Sequence, residues 1–234
     1  YSSAASDVYK RQAAKHGIES KLTAFVPLKT NAEVNRLDVT NTTDAPVVLD
    51  VTGSVEWCLW NAVDDSSNFQ RNLSTGEVEI EKQDDATLIY HKTEFKERRN
   101  HYAFFAVNSP VVGFDTSRDE FLGKFNGWDT PQVITEGQAH DSVDHGWFPI
   151  AADRVRLELK PGETKSLVFV LGYIEVAKED KWEDPNDPAK VGIINKKPAH
   201  ELFRRFATVE QVEAALKELN TYWTCLLYTS DAAD

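Results

Sequence analysis

Methionine is absent from the 234 residues, even at position 1, and cysteine occurs only twice. The first absence is expected of an internal piece of a longer protein; the second excludes a disulfide framework. Basic residues are scarce relative to acidic ones, 26 against 38, for a formal charge of −12. No surplus of Lys and Arg exists to displace counterions from nucleic acid, so a general phosphate-backbone binder is excluded. Long apolar runs are also lacking. The longest, around Leu167 to Leu171, is far too short to span a bilayer. What remains is 41% hydrophobic and 11% aromatic, enough to bury a substantial core and to exclude a disordered or fibrous chain.

The two ends differ from the chain between them. Ser2 to Gln12 reads SSAASDVYKRQ and Cys225 to Asp234 reads CLLYTSDAAD. Back-translation derives both from one DNA string read on opposite strands, similar to a transposase adapter used in sequencing libraries. Residues 1–12 and 225–234 are therefore expected to be adapter-derived tails, set apart from fold reasoning. Cys58 is then the only authentic cysteine and cannot pair within the chain.

Between the tails, β-branched and aromatic residues dominate. Strands are expected over Ile18 to Val26, Val34 to Thr40, Val47 to Trp60, Glu77 to Glu81, Thr87 to His91 and Tyr102 to Val107. Val155, Leu157 and Leu159 alternate with polar residues, Pro161-Gly162 offers a turn, and Leu167, Phe169 and Leu171 follow. That pattern predicts a hairpin with one face buried. After the charged, Pro-bearing stretch Lys178 to Lys197 the period changes. Val209, Val212, Leu216, Leu219 and Trp223 recur at helical spacing behind a Thr208–Gln211 capping box, and Pro198 suits the first turn of a shorter helix. The fold expected is mainly β: a large antiparallel β-sandwich over 13–180, N-terminally incomplete, followed by C-terminal linker helices over 181–224.

Three clusters offer chemistry. Asn68-Phe69-Gln70-Arg71-Asn72 sets amides and a guanidinium around an aromatic ring, a donor set suited to sugar hydroxyls, although a polar surface loop accounts for the same residues. His140-Asp141-Ser142-Val143-Asp144-His145 has metal-ligand side chains in a spacing that matches no usual zinc pattern, and reads better as a solvated loop. Lys92 to His101 is basic but interrupted by Glu94 and Glu97, as in a salt-bridged strand or turn. Trp128 and Trp147 suit either sugar stacking or packing. No phosphate-binding glycine loop, G-x-S-x-G elbow or H-E-x-x-H is present.

A series of motifs carries a more specific signal. Asn35-Arg36-Leu37, Val39-Thr40-Asn41-Thr42, Val55-Glu56-Trp57-Cys58-Leu59-Trp60-Asn61, Asn68 to Asn72, Tyr90 to Glu94, Glu97 to Ala103, Gly113-Phe114-Asp115-Thr116 and His145-Gly146-Trp147 follow in order. In these the chain resembles the cellobiose phosphorylases of glycoside hydrolase family 94, from about Gly17 to Trp223. The resemblance implies the N-terminal sandwich of a larger homodimeric, cytoplasmic enzyme whose opening strands and (α/α)6 catalytic barrel lie outside this sequence. It implies no cofactor, no metal, no nucleic acid and no membrane. The substrates it implies are cellobiose or a related β-glucoside and inorganic phosphate, the phosphate bound in the barrel; the products are α-glucose 1-phosphate and glucose. A carboxylic acid would protonate the leaving oxygen while phosphate, already an anion, attacks from the opposite face. That acid belongs to the barrel, so no catalytic residue is assigned in this chain, which alone is expected to be inactive. Gln70, Arg71 and Asn72 match the loop that related dimers place beside the partner's acceptor subsite, and are the candidate substrate-binding residues. Alternatives are a family 94 phosphorylase acting on chitobiose or cellodextrins, and a non-catalytic carbohydrate-binding sandwich. Amplification of the gene from source DNA is expected to yield different codons at both ends; recovery of the same tails from unamplified DNA would overturn the adapter reading.

Overall fold

A computed structural model describes residues 8–57, 76–92, 101–146, 149–184 and 186–231. The strands are β1 Val8–Lys15, β2 Ile18–Phe25, β3 Ala32–Asn41, β4 Val47–Glu56, β5 Gly76–Lys82, β6 Thr87–Lys92, β7 His101–Val107, β8 Gly113–Ser117, β9 His145–Gly146, β10 Pro149–Leu159 and β11 Thr164–Glu175. Among the described residues four α-helices accompany them: α1 Arg118–Leu122, α2 Gln132–Glu136, α3 Lys197–Arg204 and α4 Val209–Asp231. One sheet has eight strands in the order β1-β2-β3-β11-β7-β6-β5-β9, the other three in the order β4-β10-β8. All pairings within both sheets are antiparallel. The expected β-sandwich with C-terminal helices is present.

Its layers follow from the two-residue side-chain period. Odd-numbered residues of β6, β7 and β11, such as Ile89, Phe105 and Phe169, face the small sheet, together with Val155, Leu157 and Leu159 from β10. Even-numbered residues, such as Leu88, Phe104, Val168 and Val170, form a second core beneath Phe203 of α3 and Val212 and Leu219 of α4. Strands β6 and β7 are buried on both faces along their whole described length. Helices α3 and α4 thus form a third layer on the domain, and Ile194 from the preceding irregular stretch is fully buried in the same cluster. Helix α4 begins at the expected capping box: Thr208 N donates to Gln211 Oε1 at 3.0 Å, and Gln211 N donates to Thr208 Oγ1 at 3.3 Å.

The expected β10–β11 hairpin is not formed. β10 pairs with β4 and β8, whereas β11 pairs with β3 and β7, so the Pro161-Gly162 turn carries the chain from one sheet to the other. Nor is β11 buried on one face only, because Val168 and Val170 meet the helices. Alternation specifies which side chains are buried, but not which backbone is the hydrogen-bonding partner. The crossing is stitched by Asn41, itself fully buried. Its main chain bonds Glu163 O and Gly162 N, while its amide donates to Leu159 O at 3.2 Å and Ala45 O at 2.8 Å.

Val8 to Gln12, which the sequence reading set aside with the N-terminal tail, lie in β1. They pair with β2 across the His16-Gly17 turn, where both residues have positive φ as a two-residue hairpin turn requires. All β1 residues after Val8 are exposed, so main-chain pairing at a sheet edge suffices to place them. The C-terminal residues Cys225 to Asp231 continue α4.

Close packing between the sheets has two consequences. The Phe105 and Phe169 rings stack at 5.7 Å, and a Cβ at Gly53 would lie 2.4 Å from Phe169, so only glycine fits opposite that ring. Beside Gly53 in the ladder, Asp153 is completely buried and neither carboxylate oxygen has a hydrogen-bond partner among the described residues. Burial pushes this carboxyl well above the usual carboxylate range, with Lys82 pulling weakly the other way. Between the unfolded and folded pKa values the folded state therefore holds a proton that the unfolded state has lost, and stability falls as pH rises. Asp153→Asn is expected to flatten the decline in unfolding midpoint above about pH 4, where an ordinary Asp is ionised. An unchanged pH slope in thermal unfolding would reject Asp153 as its source.

Candidate functional site

The ladder registers gather several strand ends at one end of the sandwich. Glu56 of β4 lies opposite Ile150, Gly76 opposite Gly146, Glu77 opposite Lys92, and His101 opposite Glu175. The chain leaves this end at Trp57 and returns at Gly76, and leaves again at Lys92 to return at His101. Gln70, Arg71 and Asn72 fall in the first of these connections and lie outside the described residues, as do Cys58 and Trp147.

The frame that holds these connections is aromatic and charged. Trp57 stacks on His91 at 5.5 Å and His101 on Tyr173 at 5.4 Å, with both histidines buried on the inner face of the large sheet. On the other face Lys92 is only 5% exposed and lies 2.8 Å from Glu77 and 3.3 Å from Glu79, while Nζ also donates to Gly192 O. Burial lowers the Lys92 pKa, but the two carboxylates outweigh it and hold the ammonium above its usual range. Lys92 is thus ion-paired, with partners from β5; Glu94, Lys96, Glu97, Arg98 and Arg99, on which the salt-bridged reading of the segment also drew, lie outside the described residues. Glu79 and Glu81 extend the network to the C-terminal layer: Glu79 accepts from Ile194 N at 3.0 Å and Lys196 Nζ at 2.6 Å, and Glu81 accepts from Tyr90 OH at 2.7 Å with His200 Nε2 at 2.8 Å.

The His140 segment is anchored to β8. Asp115, buried within the Gly113-Phe114-Asp115-Thr116 motif, accepts from Ser142 Oγ at 2.7 Å, Ser142 N at 3.2 Å and His140 N at 3.2 Å. Burial raises the Asp115 pKa and these bonds partly offset it. His140 Nε2 lies 2.9 Å from Glu136, which raises the imidazole pKa. The described residues hold no group of three or more His, Cys, Asp or Glu side chains placed for a metal ion. Trp128 is 40% exposed and leans on Phe121 at 5.6 Å. Asn41, which opens the N-x-T sequence Asn41-Thr42-Thr43 of a glycosylation sequon, has its amide committed to the sheet crossing and is buried.

Beside Trp57 the structure shows a feature that sequence reasoning missed. The small sheet covers only part of the large one, and past its β4 edge opens a crevice of about 270 Å³. Ala103 and Leu171 form its floor; Trp57, Tyr173, Glu33, Glu56, Thr30 and Asn31 surround it. These residues come from four separated stretches of sequence, and no local pattern connects them. Glu56, Trp57 and Ala103 lay in quoted motifs and Leu171 in the β11 alternation, but nothing in the sequence brought them together.

The two antiparallel sheets, the larger covered on its outer face by helices, make a sandwich of the large, asymmetric kind. Residues 6–209 match the glycosyl hydrolase 94 supersandwich domain, and the chain belongs to that family. It is 23% identical over 209 residues to an N,N'-diacetylchitobiose phosphorylase of Vibrio furnissii, covering 89% of this chain and 23% of that protein. It is 29% identical over 143 residues to the cyclic β-(1,2)-glucan synthase NdvB of Rhizobium meliloti strain 1021, covering 60% of this chain and 5% of that protein. A solved structure described as a kojibiose phosphorylase from the human microbiome shares the fold, with a TM-score of 0.50, 10% identity, and coverage of 92% of this chain and 23% of that one. The chain thus spans about a quarter of the length of the phosphorylases it matches. No helix among the described residues is long and apolar enough to cross a membrane.

Asp115→Ala would leave the Ser142 hydroxyl and two backbone amides without their acceptor, at a cost of about 1–3 kcal/mol. Thermal unfolding and amide hydrogen exchange are expected to show a destabilised chain with faster exchange at residues 140–142; unchanged exchange there would contradict the anchoring role.

Proposed function

We propose that this domain belongs to a cytoplasmic, homodimeric disaccharide phosphorylase that cleaves a β-linked disaccharide with inorganic phosphate, by inversion, to an α-sugar 1-phosphate and a free sugar. The observation that carries the proposal is the family match over residues 6–209, joined by relatives named as diacetylchitobiose phosphorylases. The motif resemblance favours cellobiose and the names of the relatives favour diacetylchitobiose; both are β-linked pairs of glucose-type sugars that leave through a protonated oxygen. Proton donation and phosphate binding fall to the part of the enzyme outside this chain. This domain supplies dimer contacts and, through Gln70, Arg71 and Asn72, hydrogen bonds to the leaving sugar at the partner's acceptor subsite. An always-charged planar donor is suited to that task, because it orients hydroxyls without competing for the proton.

The test is phosphate-dependent release of sugar 1-phosphate by the full-length enzyme from cellobiose and from diacetylchitobiose. Turnover of one substrate well above the other is expected, with none from the 234-residue chain alone. Hydrolysis without sugar phosphate, or no reaction with either, would overturn the assignment. Arg71→Ala in the full-length enzyme is expected to cost about 1–3 kcal/mol in the acceptor-dependent step, roughly a five- to hundredfold loss, with phosphate affinity unchanged. A fall in thermal midpoint alone would return Arg71 to a purely structural role.

A further inference from the structure

We propose that the crevice between the end of β4 and the inner face of β3, β11 and β7 is a subsite for one neutral sugar ring. This rests on the proposed action on sugars and adds to it a binding site that involves none of the residues 70–72. Its floor is apolar, from Ala103 and Leu171, and Trp57 and Tyr173 border it. Such surfaces accept the C–H faces of a pyranose. The surrounding polar groups are mostly acceptors. Glu33 Oε1 receives Asn35 Nδ2 at 2.8 Å and Glu56 Oε1 receives Arg118 Nε at 2.8 Å. Each bond steadies its carboxylate and leaves the second oxygen for an incoming hydroxyl.

Thr30 reinforces the bias toward a donor-rich ligand. Its hydroxyl donates to Pro27 O at 2.8 Å, so it presents lone pairs outward. Asn31 adds an amide, and its loop is fixed because Tyr173 N donates to Asn31 O at 2.8 Å. A polyol matches this arrangement. An anion does not: two carboxylates line the opening, the nearby Arg118 is already bonded to Glu56, and the chain carries a net charge of −12. The volume of about 270 Å³ lies below the roughly 300–1,000 Å³ of clefts for drug-sized ligands and fits one ring rather than two.

The experiment titrates the 234-residue chain with methyl β-glucoside, methyl N-acetyl-β-glucosaminide, glucose 1-phosphate and glucuronate, read by saturation-transfer NMR. Saturable binding of at least one neutral glycoside is expected, with both anions at least about tenfold weaker. Glu33→Gln is expected to weaken glycoside binding about tenfold, the loss of a hydrogen bond to a charged group, and Asn31→Ala to weaken it measurably. Both change exposed side chains, so the thermal midpoint is expected to hold; Tyr173→Ala, which alters packing, serves as a third variant. Absence of saturable glycoside binding, equal binding of the anions, or undiminished binding in Glu33→Gln and Asn31→Ala would overturn the proposal. The phosphorolysis assay is independent. Turnover by the full-length enzyme without glycoside binding in the crevice leaves the phosphorylase assignment standing and removes the subsite, whereas crevice binding with no turnover does the reverse.

Discussion

Burial of β6 and β7 on both faces governs the architecture. A strand with large apolar side chains at both odd and even positions needs a cover on each side, because exposed apolar surface costs on the order of 25 cal/mol per Å². On one face the cover is the three-stranded sheet; on the other it is α3, α4 and the irregular chain before them. The helical layer is therefore part of the domain's core. It is also tied down electrostatically, through Glu79 and Glu81 reaching Lys196 and His200 from β5. The domain cannot shed these helices without exposing Leu88, Tyr90, Tyr102 and Phe104.

The same arrangement explains where binding chemistry is available. Three strands cannot cover eight, so among the described residues part of the inner face of the large sheet is left uncovered past the β4 edge, and the crevice forms there. The aromatic stacks Trp57–His91 and His101–Tyr173 sit at the end where the long connections leave the sheets. A rigid, doubly buried scaffold carrying variable loops at one end is a common route by which one fold acquires different specificities. Relatives that act on different sugars, as their names state, are consistent with that division of labour.

Charge sets a further limit. The chain carries an acidic excess, and carboxylates engage Lys92, Lys196, Arg154 and Arg156. Under the proposed function, phosphate binding falls to the part of the enzyme outside this chain.

Much of the fold was legible in the sequence because its signals are local. β-branched and aromatic runs marked β2 to β7, the two-residue alternation marked the inward residues of β10 and β11, the 3.6-residue period with Thr208 and Gln211 marked α4, and the ordered motifs identified the family. What stayed hidden depends on pairing at a distance. Strand β1 is almost wholly exposed and so leaves no apolar signature, and Asp153 looked like any other carboxylate before its neighbours were placed. The apparent β10–β11 hairpin became a crossing between sheets because backbone partners are chosen by tertiary context, with Asn41 reaching across from β3 to hold the turn. The crevice was invisible for the same reason: Asn31, Glu33, Trp57 and Tyr173 are ordinary residues where they stand in the chain. The sequence by itself determined which side chains must be buried and which family they belong to, since both are written in period and order. Only the tertiary structure decided which strands meet and what their exposed ends enclose, because those are relations between segments that share no local pattern.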